Sequence, residues 1–82
     1  MENFYIVTTK YTIRTHNGNL IEIEEFNGTV SAENENNLNG ILTYLCEVAR
    51  NAIRIGDVEK AVIYVRDIES NALTNVIKEV HI

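Results

Sequence analysis

The chain has 82 residues, enough for one domain with one core and too few for a large enclosed active site. Apolar residues make up 45% and charged residues 23%, a balance ordinary for a folded domain and too apolar for disorder. Seven basic residues against twelve acidic ones give a formal charge of −5, which opposes the counterion release that drives nucleic-acid binding and disfavours direct contact with DNA or RNA.

In chain order, Phe4 to Arg14 alternates Tyr5, Val7, Thr9, Tyr11 and Ile13 on one face with Ile6, Thr8, Lys10, Thr12 and Arg14 on the other, which predicts a long, half-solvated first strand. Asn17-Gly18 then gives a hairpin signal, since both residues accept the positive φ of a tight turn. A two-residue loop there would set Ile13 opposite Glu22. A three-residue loop of His16, Asn17 and Gly18 instead pairs Ile13 with Ile21 and Tyr11 with Ile23, and stacks Thr12 on Glu22 and Lys10 on Glu24 outside. A second Asn-Gly, Asn27-Gly28, predicts a two-residue turn that sets Ile23 opposite Ala32 and Glu25 opposite Val30 in a short third strand.

Past Asn34 and Asn36, either able to cap, Leu38, Ile41, Leu42, Leu45, Val48, Ala49, Ala52 and Ile53 recur at three and four, the spacing of an amphipathic helix. Asn39, Thr43, Glu47, Arg50, Asn51 and Arg54 fall on its outer face, and Gly56 supplies a stop. Gly40 costs this helix about 1 kcal/mol relative to Ala, and either close approach of another backbone or an adjustment at the helix terminus would account for it equally well. Ala61 to Val65 is apolar without alternation, as in a strand covered on both faces. After a helical crossover, such a strand is expected beside the first and parallel to it. Ile68, Ala72, Leu73, Val76, Ile77 and Val80, with Asp67 as a cap, predict a second, C-terminal helix; an edge strand over Val76 to Ile82 is the alternative. The expected fold is therefore a single α+β domain over residues 1–82: a three-stranded antiparallel meander, a long amphipathic helix, a fourth strand parallel to strand one in the order 3-2-1-4, and a second helix.

Little in the chain points to catalysis. The lone Cys46 excludes an internal disulfide and sits at an apolar helix position. His16 and His81 have no second soft ligand at metal spacing, so neither metal nor cofactor is expected. The glycines form no phosphate loop, and nothing suggests a cleft with paired carboxylates. No apolar run approaches the ~20 residues that span a bilayer, and Met1-Glu2-Asn3 opens no signal segment, so a cytoplasmic protein with no membrane role is expected. Candidate partner-binding residues are Glu22 and Glu24 on the outer strand face, Tyr44 and Glu47 on the polar side of the helix, and Asp67. Arg50 and Arg54 answer the helix dipole.

Asn36-Asn37-Leu38-Asn39 at the start of the long helix, and Val62-Ile63-Tyr64-Val65-Arg66-Asp67 at the fourth strand, resemble segments of the ribonuclease H-like family, whose meander, helix and parallel strand come in the order expected here. The resemblance covers about 75 residues and is mainly topological. It implies a family chemistry in which carboxylates from strand one, the first helix and the fourth strand clamp two divalent ions. Here strand one reads Thr8-Thr9-Lys10 and the helix position reads Asn39, leaving Asp67 as the sole matching acid. The resemblance thus implies a reduced, non-catalytic relative.

The function these features suggest is a small acidic, non-catalytic protein-binding module, an inhibitor or adaptor of the phage or mobile-element type that binds a host protein. In a sharper form, Glu22, Glu24, Asp67 and Glu69 imitate a phosphate backbone, and the partner is a nucleic-acid-binding protein. The alternatives are a self-associating structural protein, pairing in trans through Val80-His81-Ile82, and a residual nucleic-acid-binding ribonuclease H-like domain.

Overall fold

A computed structural model describes residues 3–32, 35–67 and 76–82. It contains β1 (Asn3–Arg14), β2 (Leu20–Ala32), α1 (Glu35–Arg54), β3 (Lys60–Asp67) and β4 (Val76–His81). The strands form one sheet in the order β2-β1-β3-β4, with every neighbouring pair antiparallel.

The first hairpin follows the side-chain pattern. Ile13 lies opposite Ile21, Tyr11 opposite Ile23, Thr12 opposite Glu22 and Lys10 opposite Glu24. Its loop carries Gly18 at φ +82°, and the Thr15 N–H donates to the Asn19 carbonyl at 2.8 Å.

Asn27-Gly28 does not reverse the chain, which corrects the expected meander. β2 runs straight through it for 13 residues. Opposite β1 the register steps from Thr8–Phe26 to Val7–Gly28, so Asn27 is an extra residue in a β-bulge. Positive φ is needed here too: Gly28 sits at +141°, a conformation a Cβ disfavours. The same dipeptide chemistry thus serves a bulge. Val30 consequently lies opposite Tyr5 and Ala32 opposite Asn3, instead of folding back onto Glu25 and Ile23. The 12 residues of β1 suffice to pair both halves of β2.

Losing one reversal changes everything downstream. With two strands before the helix instead of three, α1 starts at the opposite end of the sheet, and the next strand emerges antiparallel to β1. The expected parallel fourth strand and the 3-2-1-4 order are therefore both wrong: β3 pairs antiparallel, Tyr5 with Asp67 at one end and Thr12 with Lys60 at the other. The expected second helix is also corrected, because Val76–His81 forms the edge strand β4. Its side chains meet β3 neighbours at strand period, Val80 opposite Ile63 and His81 opposite Val62. The other expected helix positions, Ile68, Ala72 and Leu73, lie outside the described residues, as do Asn34 and Glu69.

α1 covers one face of the sheet. Leu38, Leu42 and Cys46 pack with Val7, Ile63 and Val65, and Tyr5, Val30, Leu45, Val80 and Ile82 close around them. β3 is interior to the sheet, but only its Ala61, Ile63 and Val65 side is sealed; Val62 and Tyr64, on the other side, are half-buried. The helix ends in a Schellman arrangement, with Asp57 N–H donating to the Ala52 carbonyl (3.0 Å) and Gly56 N–H to that of Ile53 (3.1 Å). Among the described residues, nothing beyond the helix's own nearby backbone lies within 4 Å of where a Gly40 Cβ would stand, so none of them supplies the close backbone approach expected there.

Candidate functional site

The strand period sorts side chains between the two sheet faces. Opposite α1, the open face carries Thr8, Lys10, Glu22, Glu24, Phe26, Tyr64 and Arg66 near its centre. The Tyr64 ring lies between two cations, with Lys10 Nζ 5.5 Å and Arg66 Cζ 5.3 Å from its centroid. Lys10 reaches Glu22 at 3.4 Å, and Arg66 reaches Glu24 at 3.7 Å while donating to the Thr8 hydroxyl at 2.9 Å. The phenol of Tyr64, followed by the bond to Glu22, holds the Lys10 ammonium above the usual lysine range. Glu22 and Glu24 are therefore halves of ion pairs that cross from β2 to β1 and β3, and they do not form a bare acidic patch. The sequence pairing found the Lys10 side of this cluster but missed Tyr64 and Arg66, because it set their strand in the opposite direction.

Tyr44 and Glu47 stand in the other layer, on the solvent side of α1, where Glu47 pairs with Arg50 at 3.2 Å. Asp67 closes β3 opposite Tyr5, half-buried, and the capping role expected for it would involve residues outside those described. The five candidate residues thus occupy three separate places. The structure does not bring them into one site.

What the sequence reading underweighted is exposed apolar surface. Among the described residues, nine large hydrophobic side chains are exposed, and four of them lie on the first half of β2. Leu20 and Phe26 project from the open face, Phe26 at 63% exposure, and Ile21 and Ile23 project from the helix-bearing face. The signal was the run Leu20-Ile21-Glu22-Ile23, which is apolar on both faces where a half-buried strand needs only one. Beside them, burial and then the charge of Glu25 raise the Tyr11 hydroxyl above the ordinary tyrosine range.

An open cleft of about 300 Å³ lies at the end of α1, lined by Arg14, Ile53, Gly56, Asp57, Val58 and Glu59. Its guanidinium is already committed: Arg14 Nε bonds Glu59 at 2.7 Å and Nη1 bonds the Gly18 carbonyl at 2.9 Å. Among the described residues no group of three or more His, Cys, Asp or Glu side chains could hold a metal ion, and no helix is long and apolar enough to cross a membrane. No family model matches the chain, and neither a curated protein nor a solved structure matches it, so no comparison bears on a ribonuclease H-like relation.

Proposed function

We propose that the chain is a small acidic, non-catalytic protein-binding module of the cytoplasm, an inhibitor or adaptor of the phage or mobile-element type that engages a host protein along β2. The observation that carries this reading is the combination of an outer sheet edge with apolar side chains on both faces of the same strand: Leu20 and Phe26 on one, Ile21 and Ile23 on the other. An edge strand offers unpaired N–H and C=O groups to an added strand, and alternating side chains supply the selectivity. The bulge at Asn27 ends the regular stretch, so the docking length is Leu20 to Phe26. The net charge of −5, with Glu25 exposed beside these apolar residues while Glu22 and Glu24 are engaged by Lys10 and Arg66, favours a basic partner segment.

The experiment is affinity capture from host lysate at low and moderate salt, with the Ile23→Lys/Phe26→Lys variant as control. Both side chains are exposed, so the variant should stay folded. A specific host protein held by the natural chain and lost by the variant is the expected result. If the natural chain enriches nothing at either salt, or the variant captures the same protein equally well, the reading fails.

A further inference from the structure

We infer that one flank of α1 is a self-association surface that pairs two copies of this chain through antiparallel helices. The argument starts from how the helix is seated. Leu38, Leu42, Cys46 and Ala49 face the sheet, and the Asn39 side chain accepts a hydrogen bond from Lys78 Nζ of β4 at 3.2 Å. That contact turns one flank toward β4 and leaves the other toward β2. The second flank carries Ile41, Tyr44, Val48, Asn51 and Ile55, at steps of three, four, three and four. Such alternation is the seam of a helix pair, in which residues from one helix fill gaps on its neighbour. Ile55 keeps to the helical lattice because its N–H donates to the Asn51 carbonyl at 3.0 Å.

Nothing among the described residues covers this seam: Tyr44 is 69% exposed, Ile55 60% and Val48 43%. A helix whose only task was to cover the sheet would carry polar residues there, as it does at Thr43, Glu47, Arg50 and Arg54.

Charge and symmetry select a second copy as the occupant. Glu47 and Arg54 border the seam on its solvent side, one heptad apart, and each is held only by an exposed contact within its own helix, Glu47 by Arg50 at 3.2 Å and Arg54 by the Asn51 side chain, contacts that pairing across the seam would exchange. In an antiparallel pair related by a two-fold axis near the middle of the seam, Tyr44 faces Ile55 of the other copy, Val48 faces Asn51, and Glu47 faces Arg54, each contact occurring twice. In a parallel pair Glu47 would be level with its own copy and the charge match would be lost. Asn51 opposite Val48 is a polar residue in an apolar seam, a device that specifies register at some expense of affinity. The β2 surface adds a strand edge and the open-face residues Leu20 and Phe26, which this seam does not include, so the two readings can fail separately.

The test is sedimentation of the full chain over a concentration series. A seam of this size predicts weak association, with the weight-average mass rising from one chain toward two between about 10 µM and about 1 mM. Val48→Glu, or Tyr44→Lys should that variant fold poorly, is expected to remain a single 9.3 kDa chain throughout while still capturing any host protein held by β2. Glu47→Arg alone should weaken self-association roughly tenfold by reversing two exposed pairs, and Glu47→Arg combined with Arg54→Glu should restore it. A natural chain that stays monomeric up to about 1 mM overturns the inference, as does a dimer indifferent to both seam variants. If the charge swap fails to restore what the single reversal removes, the antiparallel register is wrong.

Discussion

Asn27 shows how one side chain can settle an ambiguous dipeptide. As the extra residue of the bulge it has no direct partner on β1, yet its Oδ1 accepts a hydrogen bond from the Thr9 hydroxyl at 2.6 Å. Thr9 is 2% exposed, on the face beneath α1. A buried hydroxyl without a partner costs about 1–3 kcal/mol, whereas replacing both partners by apolar groups of similar shape can be nearly neutral. Thr9 also hydrogen-bonds the Tyr11 side chain, so Asn27→Ala leaves its hydroxyl one partner and is expected to destabilise the protein by about 0.5–1.5 kcal/mol, with Thr9→Val in the same chain recovering part of that loss. Denaturant midpoints of the two single variants and the double variant measure this directly. Equal and additive losses would show that the hydroxyl and amide do not act as a pair. None of this is visible in the sequence, where Thr9 and Asn27 are 18 positions apart.

At the level of elements, legibility followed the length and purity of the side-chain period. The first hairpin was readable to the residue because a one-place slip would put Glu22 or Glu24 on the core face, a penalty large enough to choose the loop. The long helix was readable from eight apolar positions at regular spacing, and Gly56 marked its end. The C-terminal segment was not. Val76, Ile77 and Val80 fit both a helical stripe and a short strand, and the choice falls to β3, whose outer edge accepts β4. Nor was the second Asn-Gly, because the turn and the bulge both place glycine at positive φ, +82° at Gly18 and +141° at Gly28, and only the partner strand tells them apart. The glycines provide a test. Gly28→Ala places a Cβ at φ +141° and is expected to cost more than about 1 kcal/mol, while Gly40→Ala, in an ordinary helical conformation with open space around it, should stabilise by about 1 kcal/mol. Thermal or denaturant unfolding of the two variants should move in opposite directions. Destabilisation by Gly40→Ala would mean that something does approach the helix there.

For the whole molecule, the consequence of one misread turn is a change of parity. Each reversal flips the chain direction, so counting three strands before α1 instead of two inverts the sense of every later strand relative to β1. The candidate site inherits that error: with β3 turned over, Tyr64 and Arg66 come level with Thr8 and Ile6, and through them the Glu24–Arg66 ion pair closes across three strands. The same count explains the outline. Among the described residues one helix covers one face of a sheet whose first hairpin runs on past the start of β3, and the Cα radius of gyration is 13.8 Å where about 12 Å is usual for this length. Surface left uncovered in this way includes the apolar residues of β2 on which the binding proposal rests, whereas the seam is exposed because it lies on the outer side of α1. Strand direction can be tested with paired cysteines. Thr12 is directly opposite Lys60, within disulfide reach, whereas Asp67 is opposite Tyr5, about 23 Å from Thr12 along the strand. Oxidation of the Thr12→Cys/Lys60→Cys variant should close a link within one chain, and Thr12→Cys/Asp67→Cys should leave both thiols open to alkylation. The parallel arrangement would bring Thr12 level with Asp67 and reverse the two results, and with them the contacts of Tyr64 and Arg66 on the open face.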